Sequence, residues 1–247
     1  MSITAFRLYR DSGYFFRHHT SMILLLALLT SLITVLLHQL FGPSAEQLKL
    51  LSAAMPVSNE LDLKQSIEQL NLEQYRILLQ ELSALAFSAF IGNLLLTGSI
   101  LTLIRLSSAG QSVSALRAMA FSLPQLPGLL LLQLISALLI PLGLSIFIIP
   151  GLIIMISLSL SPAIYFAEGK GVFNAIQLSC KMAFANVSFI ISGLMLWLAA
   201  QLLLLLLAMW VMILTPDVSR VIFTAIGNVI SALLLIYFSR LYMLTKQ

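Results

Sequence analysis

Six long apolar runs, separated by short polar breaks, set the plan of this chain. They cover about residues 20–41, 82–106, 126–149, 151–167, 187–214 and 221–244. Each has the length of a membrane-crossing helix, which needs roughly 17–25 residues. The first run exceeds the roughly 7–15 apolar residues of a secretory signal, so it reads as a retained helix. Gly42-Pro43 stops it. Only Pro150-Gly151 separates the third run from the fourth, so the pattern predicts a tight helical hairpin turning at that pair. Pro141 and Gly143 are expected to bend the third span, and Pro162 the end of the fourth.

The polar stretches carry helix signals of their own. In the long connection 43–80, Ser44 with Gln47 forms a capping box for a short helix that Pro56 ends. A second helical piece is expected around residues 61–70. Asn71, with Glu73 and Gln74 after it, caps a helix that should run straight into the second span. Residues 1–19 are amphipathic: Arg7, Arg10, Tyr14 and Arg17 share one helical side, and Ile3, Phe6, Tyr9 and Phe16 lie on the other. Such a helix suits the headgroup plane, with guanidiniums at phosphates. Ser2–Arg7 resembles Ser112–Arg117, and Phe173–Gln177 is a more distant third copy. Each precedes an odd-numbered span, which suggests an interfacial helix plus two spans used three times. The third copy belongs to a stretch, residues 150–186, that joins the turn, a span, the loop Gly169-Lys170-Gly171 and an amphipathic segment.

Composition fits a membrane solvent. Of 247 residues, 60% are hydrophobic and 9% charged, with a mean hydropathy of +1.04; a soluble domain carries roughly 25% charged residues. The net charge of +4 is spread along the chain, which speaks for membrane topology and against nucleic acid. Six spans put both termini on one side. Nine basic residues (Arg7, Arg10, Arg17, Arg105, Arg117, Lys170, Lys181, Arg240, Lys246) fall on that side against four (Lys49, Lys64, Arg76, Arg220) on the other. The positive-inside rule then predicts cytoplasmic termini, leaving 43–80 as an acidic periplasmic helical loop. The expected fold class is all-α: one polytopic membrane domain over 1–247 with six transmembrane helices and short cytoplasmic interfacial helices.

The residues also resemble a known family. The opening MSITA with Tyr9-Arg10-Asp11, then Ser108-Ala109-Gly110-Gln111 followed by Val113–Ala118, Pro150-Gly151, Ile230-Ser231-Ala232 and Arg240–Leu244 are similar to the YciC family of bacterial inner-membrane proteins. The resemblance covers essentially the whole chain. It implies an inner-membrane location in a Gram-negative envelope and brings no activity, substrate or catalytic residue. A looser likeness, confined to residues 150–186, is to membrane domains fused to glycerophosphodiester phosphodiesterases; it hints at lipids.

Candidate chemistry is sparse. Cys180 is a lone cysteine on an apolar stripe, so no disulfide framework or cysteine metal set is expected. His18 and His19 are adjacent, so they point roughly 100° apart on a helix, and His38 is expected at the opposite membrane face. No HExxH, GxSxG, Walker or GxGxxG motif occurs. These residues predict no enzyme, no metal and no cofactor. Within the spans the polar residues are Asn93, Thr97, Gln133, Gln201, Asn228 and Ser231, with Arg105 near a membrane face. They read first as interhelical glue, alongside Ser88-xxx-Gly92, Ser157-xxx-Ser161 and Gly227-xxx-Ser231 contacts, and second as the lining of a path. No Asp or Glu lies in mid-span, which weighs against a proton- or sodium-coupled carrier. The expected role is non-enzymatic support of envelope or membrane-lipid homeostasis through lipid or partner contacts. The alternative is a channel or uncoupled carrier for a lipid or small solute. Expected ligand contacts are Arg7, Arg10, Arg17, Arg105, Arg117, Lys181, Asn93 and Asn228, and expected partners are membrane lipids, another membrane protein or a second copy.

Overall fold

Where each apolar run begins and ends is decided by a few capping residues. A computed structural model describes residues 5–54, 70–111, 114–169, 171–210 and 216–246, and the described residues contain no strand. The helices are α1 (Ala5–His18), α2 (Thr20–Phe41), α3 (Ala45–Ala54), α4 (Leu72–Ser108), α5 (Ala115–Ser122), α6 (Leu126–Ile146), α7 (Ile148–Leu158), α8 (Ser161–Glu168), α9 (Val172–Ala185), α10 (Val187–Trp210) and α11 (Pro216–Lys246). Six stretches are long and apolar enough to cross a membrane: α2, α4, α5 with α6, α7 with α8, α10 and α11.

Both capping boxes form. Ser44 Oγ accepts from the Gln47 amide at 3.3 Å while Gln47 Oε1 accepts from the Ser44 amide at 2.8 Å. Asn71 and Gln74 repeat the exchange at 2.8 and 3.0 Å. Each such cap satisfies amides that the first helical turn leaves open, which stabilises the helix by about 1 kcal/mol. Behind its cap α4 runs 37 residues without a break. It ends at Gly110, and α8 ends at Gly169; these glycines have φ of 72° and 65°, a left-handed conformation that costs a residue bearing Cβ. The expected helix at 61–70, apart from Leu70, and the end of the fifth span at 211–214 lie outside the described residues.

The hairpin between α6 and α7 turns elsewhere than expected. The helical path breaks at Phe147, which is extended (φ −156°, ψ 152°), and Pro150 and Gly151 lie inside the first turn of α7. The physical reason is that a first-turn proline loses no helical hydrogen bond, because its missing amide would have had no partner there. Gly151 serves close approach: a Cβ built on it would lie 2.7 Å from the Leu144 backbone nitrogen, and one on Gly143 would lie 2.9 Å from Gly151 Cα. The fourth apolar run also divides, at Ser159-Leu160, with Pro162 in the first turn of α8.

The described residues fall into two compact units, with boundaries inside α2 and α4. The smaller, Leu32–Gly92, holds the second part of α2, α3 and the first part of α4. There His38 pairs with Glu81 at 3.2 Å, Gln80 Nε2 donates to the Phe41 carbonyl at 3.3 Å, and Phe41 meets Phe87 edge-on. Gly92 leaves the room that Thr34 occupies. The larger unit holds the rest, and Leu94, Leu96, Ile100, Leu103 and Ile104 of α4 lie in its core against Ile23, Leu26, Leu129, Phe166 and Ile236. In α4 67% of the apolar stretch is buried, against 11% in α10. The leucines of α10 that remain exposed, such as Leu203 and Leu205, form a face suited to lipid.

The glycines give opposite expectations. Gly151→Ala should lower the melting temperature in detergent, because its methyl meets backbone. Gly13→Ala in α1, with nothing within 4 Å of the added Cβ, should raise stability by about 1 kcal/mol through helix propensity. Thermal unfolding of both variants in one micelle checks the pair.

Candidate functional site

Short helix α1 is the element around which the site is built. Leu8, Ser12 and Phe15, at i, i+4 and i+7, are its buried face. This face packs on α11 and is rotated from the one the hydrophobic pattern suggested: Phe6 is exposed, while Tyr9 lies against Tyr237 with ring centroids 5.3 Å apart. Tyr9 Oη donates to Ser192 Oγ at 3.3 Å, and Tyr237 Oη donates to the Phe189 carbonyl at 2.9 Å. Gly193 permits this arrangement, since a Cβ there would lie 2.7 Å from the Tyr237 ring. At the end of α1, Arg240 stands 5.0 Å over the Phe15 ring, and His19 Nε2 shares a 2.6 Å hydrogen bond with Ser107.

An apolar groove of about 240 Å³ lies beneath α1. Tyr9, Ser12 and Gly13 of α1 line it with Leu196, Trp197 and Ala200 of α10 and Ile230, Leu233 and Leu234 of α11. Ser12 Oγ is buried there without a hydrogen-bond partner among the described residues. Farther along α10 and α11 is a larger cavity, about 480 Å³, with a different lining: Asn93, Gln201, Thr224, Asn228 and Ser231 among leucines. Trp197 lines both spaces, and its indole N–H donates to Ser231 Oγ at 3.2 Å. Gln201 Nε2 donates to the Gly227 carbonyl at 3.3 Å. Asn228 Nδ2 donates to Thr30 Oγ1 at 3.0 Å and to the Ala27 carbonyl at 3.3 Å.

Asn93 and Asn228, far apart in the chain, are therefore brought to one cavity. Asn228 spends its donor on α2, whereas Asn93 makes no hydrogen bond among the described residues. Arg7 and Arg10 sit on the outer side of α1 near Asp11, at 3.9 and 3.5 Å, and Arg17 is exposed in its last turn. Arg105 lines a separate cleft of about 160 Å³ with Ser108, Ser239 and Tyr242. Arg117 stands over Phe121 on α5, and Lys181 is exposed on α9. Neither lines the groove or the polar cavity.

Some participants were not singled out by sequence. Glu168 accepts from Tyr242 Oη at 2.7 Å and from Lys246 at 3.0 Å, although 78 residues separate the ion pair. Trp197 and Ser192 carry no motif; their only sequence signal is a polar atom on an otherwise apolar helix. Among the described residues, no three His, Cys, Asp or Glu side chains gather as a metal-binding group.

Comparison with known proteins adds lineage. The description of the uncharacterised protein family UPF0259 matches residues 1–244. The chain belongs to this family. It is the same family as the YciC proteins that the sequence resembled. A UPF0259 membrane protein of Serratia proteamaculans (strain 568) is 52% identical, with 100% of both chains covered. One from Yersinia pestis (strain Pestoides F) is 47% identical, over 100% of this chain and 97% of its own. No solved structure matches.

In this UPF0259 chain the junction of α1 and α2 holds a histidine, His19, whose surroundings disfavour its charged form. Burial, then the charges of His18 and Arg240, holds the His19 pKa below its ordinary 6.5. Above pH 6.5 the ring is neutral in both folded and unfolded chains, so there is no penalty. As pH falls below 6.5 the unfolded chain takes up the proton first, and stability declines down to the folded-state pKa. Melting temperatures at pH 7.5 and 5.5 should show a smaller acid loss in His19→Gln than in the unsubstituted protein.

Proposed function

We propose that this protein is a non-enzymatic lipid-contacting protein of the bacterial inner membrane, serving envelope or membrane-lipid homeostasis. The observation that carries the reading is the apolar groove beneath α1, open enough for a hydrocarbon chain and roofed by a helix whose outer side bears Arg7, Arg10 and Arg17. An acyl chain in the groove would replace lipid-exposed surface with close packing, and guanidiniums on α1 would meet headgroup phosphates. The charge distribution supports placing α1 and both termini in the cytoplasm, where anionic headgroups attract basic segments. Arg105 and Arg117 extend the basic side, with the Arg105 cleft as a further headgroup contact. Membrane lipids are the primary partners in this reading, and the face of α10 leaves room for a membrane-protein neighbour or a second copy.

A second reading, an uncoupled carrier or channel, is favoured by one observation: the polar cavity follows the groove along the same two helices, with Trp197 common to both. A path of that kind would let a polar group enter the membrane without crossing pure hydrocarbon.

Native mass spectrometry of protein extracted gently from its own membrane tests the first reading. A discrete bound phospholipid is expected. Combined Arg7, Arg10, Arg105 and Arg117 to Ala changes should remove most of it, and Gly13→Leu, which projects into the groove, should displace it without unfolding the chain. Lipid occupancy unchanged in both variants would sink the proposal. For the second reading, Asn93→Leu should abolish flux in proteoliposomes while the protein remains folded.

A further inference from the structure

The polar cavity has hydrogen-bonding capacity that the fold does not use. Asn228 and Gln201 spend their amide nitrogens on neighbouring helices, which leaves Asn228 Oδ1 and Gln201 Oε1 without donors among the described residues. Asn93, exposed at the open side of the cavity, uses neither its nitrogen nor its oxygen, and the half-buried Thr224 hydroxyl has no partner among the described residues. Interhelical glue accounts for Asn228, because its bonds to Thr30 and Ala27 tie α11 to α2. It does not account for Asn93. An amide in the apolar part of a span is costly unless something satisfies it.

Among the described residues the cavity is also uncharged: no Asp, Glu, Lys, Arg or His lines it. An ionic ligand would lose its hydration and meet no counter-charge. A neutral group bearing hydroxyls loses less, and it can donate to three amide oxygens and accept from Asn93 Nδ2 and Thr224. A hydroxyl is therefore a better complement than an ionised carboxylate or phosphodiester, neither of which can donate.

We propose that the cavity formed by Asn93, Gln201, Thr224 and Asn228 binds an uncharged, hydroxyl-bearing group. The source is either the headgroup of a neutral glycerolipid or a free polyol. This deepens the carrier reading by naming the class of group carried, and it is independent of the α1 arginines.

Trp197 provides the readout, since it lines the cavity and Trp210 is the only other tryptophan. The full chain with Trp210→Phe is reconstituted in phosphatidylcholine vesicles. Brominated monoacylglycerol and the brominated fatty acid of the same chain length, ionised, are titrated as quenchers. Saturable quenching by the monoacylglycerol, about tenfold tighter than by the fatty acid, is expected. Asn93→Leu and, separately, Thr224→Val should each weaken it several-fold. Because Asn93 makes no hydrogen bond among the described residues, its Leu variant should keep or raise the melting temperature.

Competition by free glycerol would support the proposal with a water-borne polyol as the source; no competition would support it with the lipid headgroup. Equal quenching by the two amphiphiles would overturn it, as would quenching unchanged in both variants. A change of oligomeric state in Asn93→Leu, seen by crosslinking in the vesicles with quenching unaltered, would also overturn it by making the cavity an interface between copies. Alanine at Arg7, Arg10, Arg105 and Arg117 should leave the quenching intact. Loss of bound phospholipid in that variant with Trp197 quenching preserved separates the first functional reading from this one.

Discussion

Inside hydrocarbon a polar atom has no water to fall back on, and most of this structure follows from that constraint. Backbone groups meet it by forming helices. Side chains meet it locally or across helices: Thr30 and Ser157 bond carbonyls one turn back, whereas Gln133 reaches Thr97 and Asn228 reaches α2. Each cross-helix bond fixes which faces of two helices meet, and so acts on register more than on total stability. Nonspecific leucine packing cannot do this alone, because lipid competes on nearly equal terms for an apolar face. Gly193 and Gly143 add to the selection by admitting approaches that a Cβ would block.

The same constraint makes exceptions informative. Trp197, Gln201 and Asn228 of the polar cavity have partners on α2 or α11, while Asn93 and Thr224 have none among the described residues. At the other end of the groove, Ser12 is buried without a partner. A soluble protein could satisfy any of these with water at little cost. In a membrane such groups mark places where the chain retains polarity that its own packing does not use; Ser99, Thr102 and Ser161 are further examples among the described residues, and Asn93 and Ser12 are the ones that lie along the line of cavities meeting at Trp197.

Much of the fold was legible because its signals are local. The length of an apolar run depends only on neighbours in sequence, and so do the Ser44–Gln47 and Asn71–Gln74 capping boxes. The hairpin turn was displaced for an equally local reason. Pro-Gly is a turn signal in water-exposed chains, but proline is also at home in a helix's first turn and glycine wherever backbones touch. The sequence could not tell these uses apart without knowing that Gly143 would face Gly151. The rotation of α1 was beyond reach for a different reason. Its pattern offers two apolar sides, and Leu8, Ser12 and Phe15 became the buried one because Tyr237 and Arg240 of α11 receive Tyr9 and Phe15.

The site shows the same division. Asn93 and Asn228 stood out one at a time as amides in apolar runs, yet nothing in their spacing said that they share a cavity with Gln201. That requires α4, α10 and α11 to be packed first. Once they are, the inventory of used and unused hydrogen-bonding atoms separates the two asparagines, which sequence treats as equivalent. Asn228 holds a helix in place, and replacing it tests folding and function together. Asn93 makes no hydrogen bond among the described residues, so a change there bears on whatever enters the cavity. The physical distinction lies in the partner each amide has, and it decides which residue can report on a ligand.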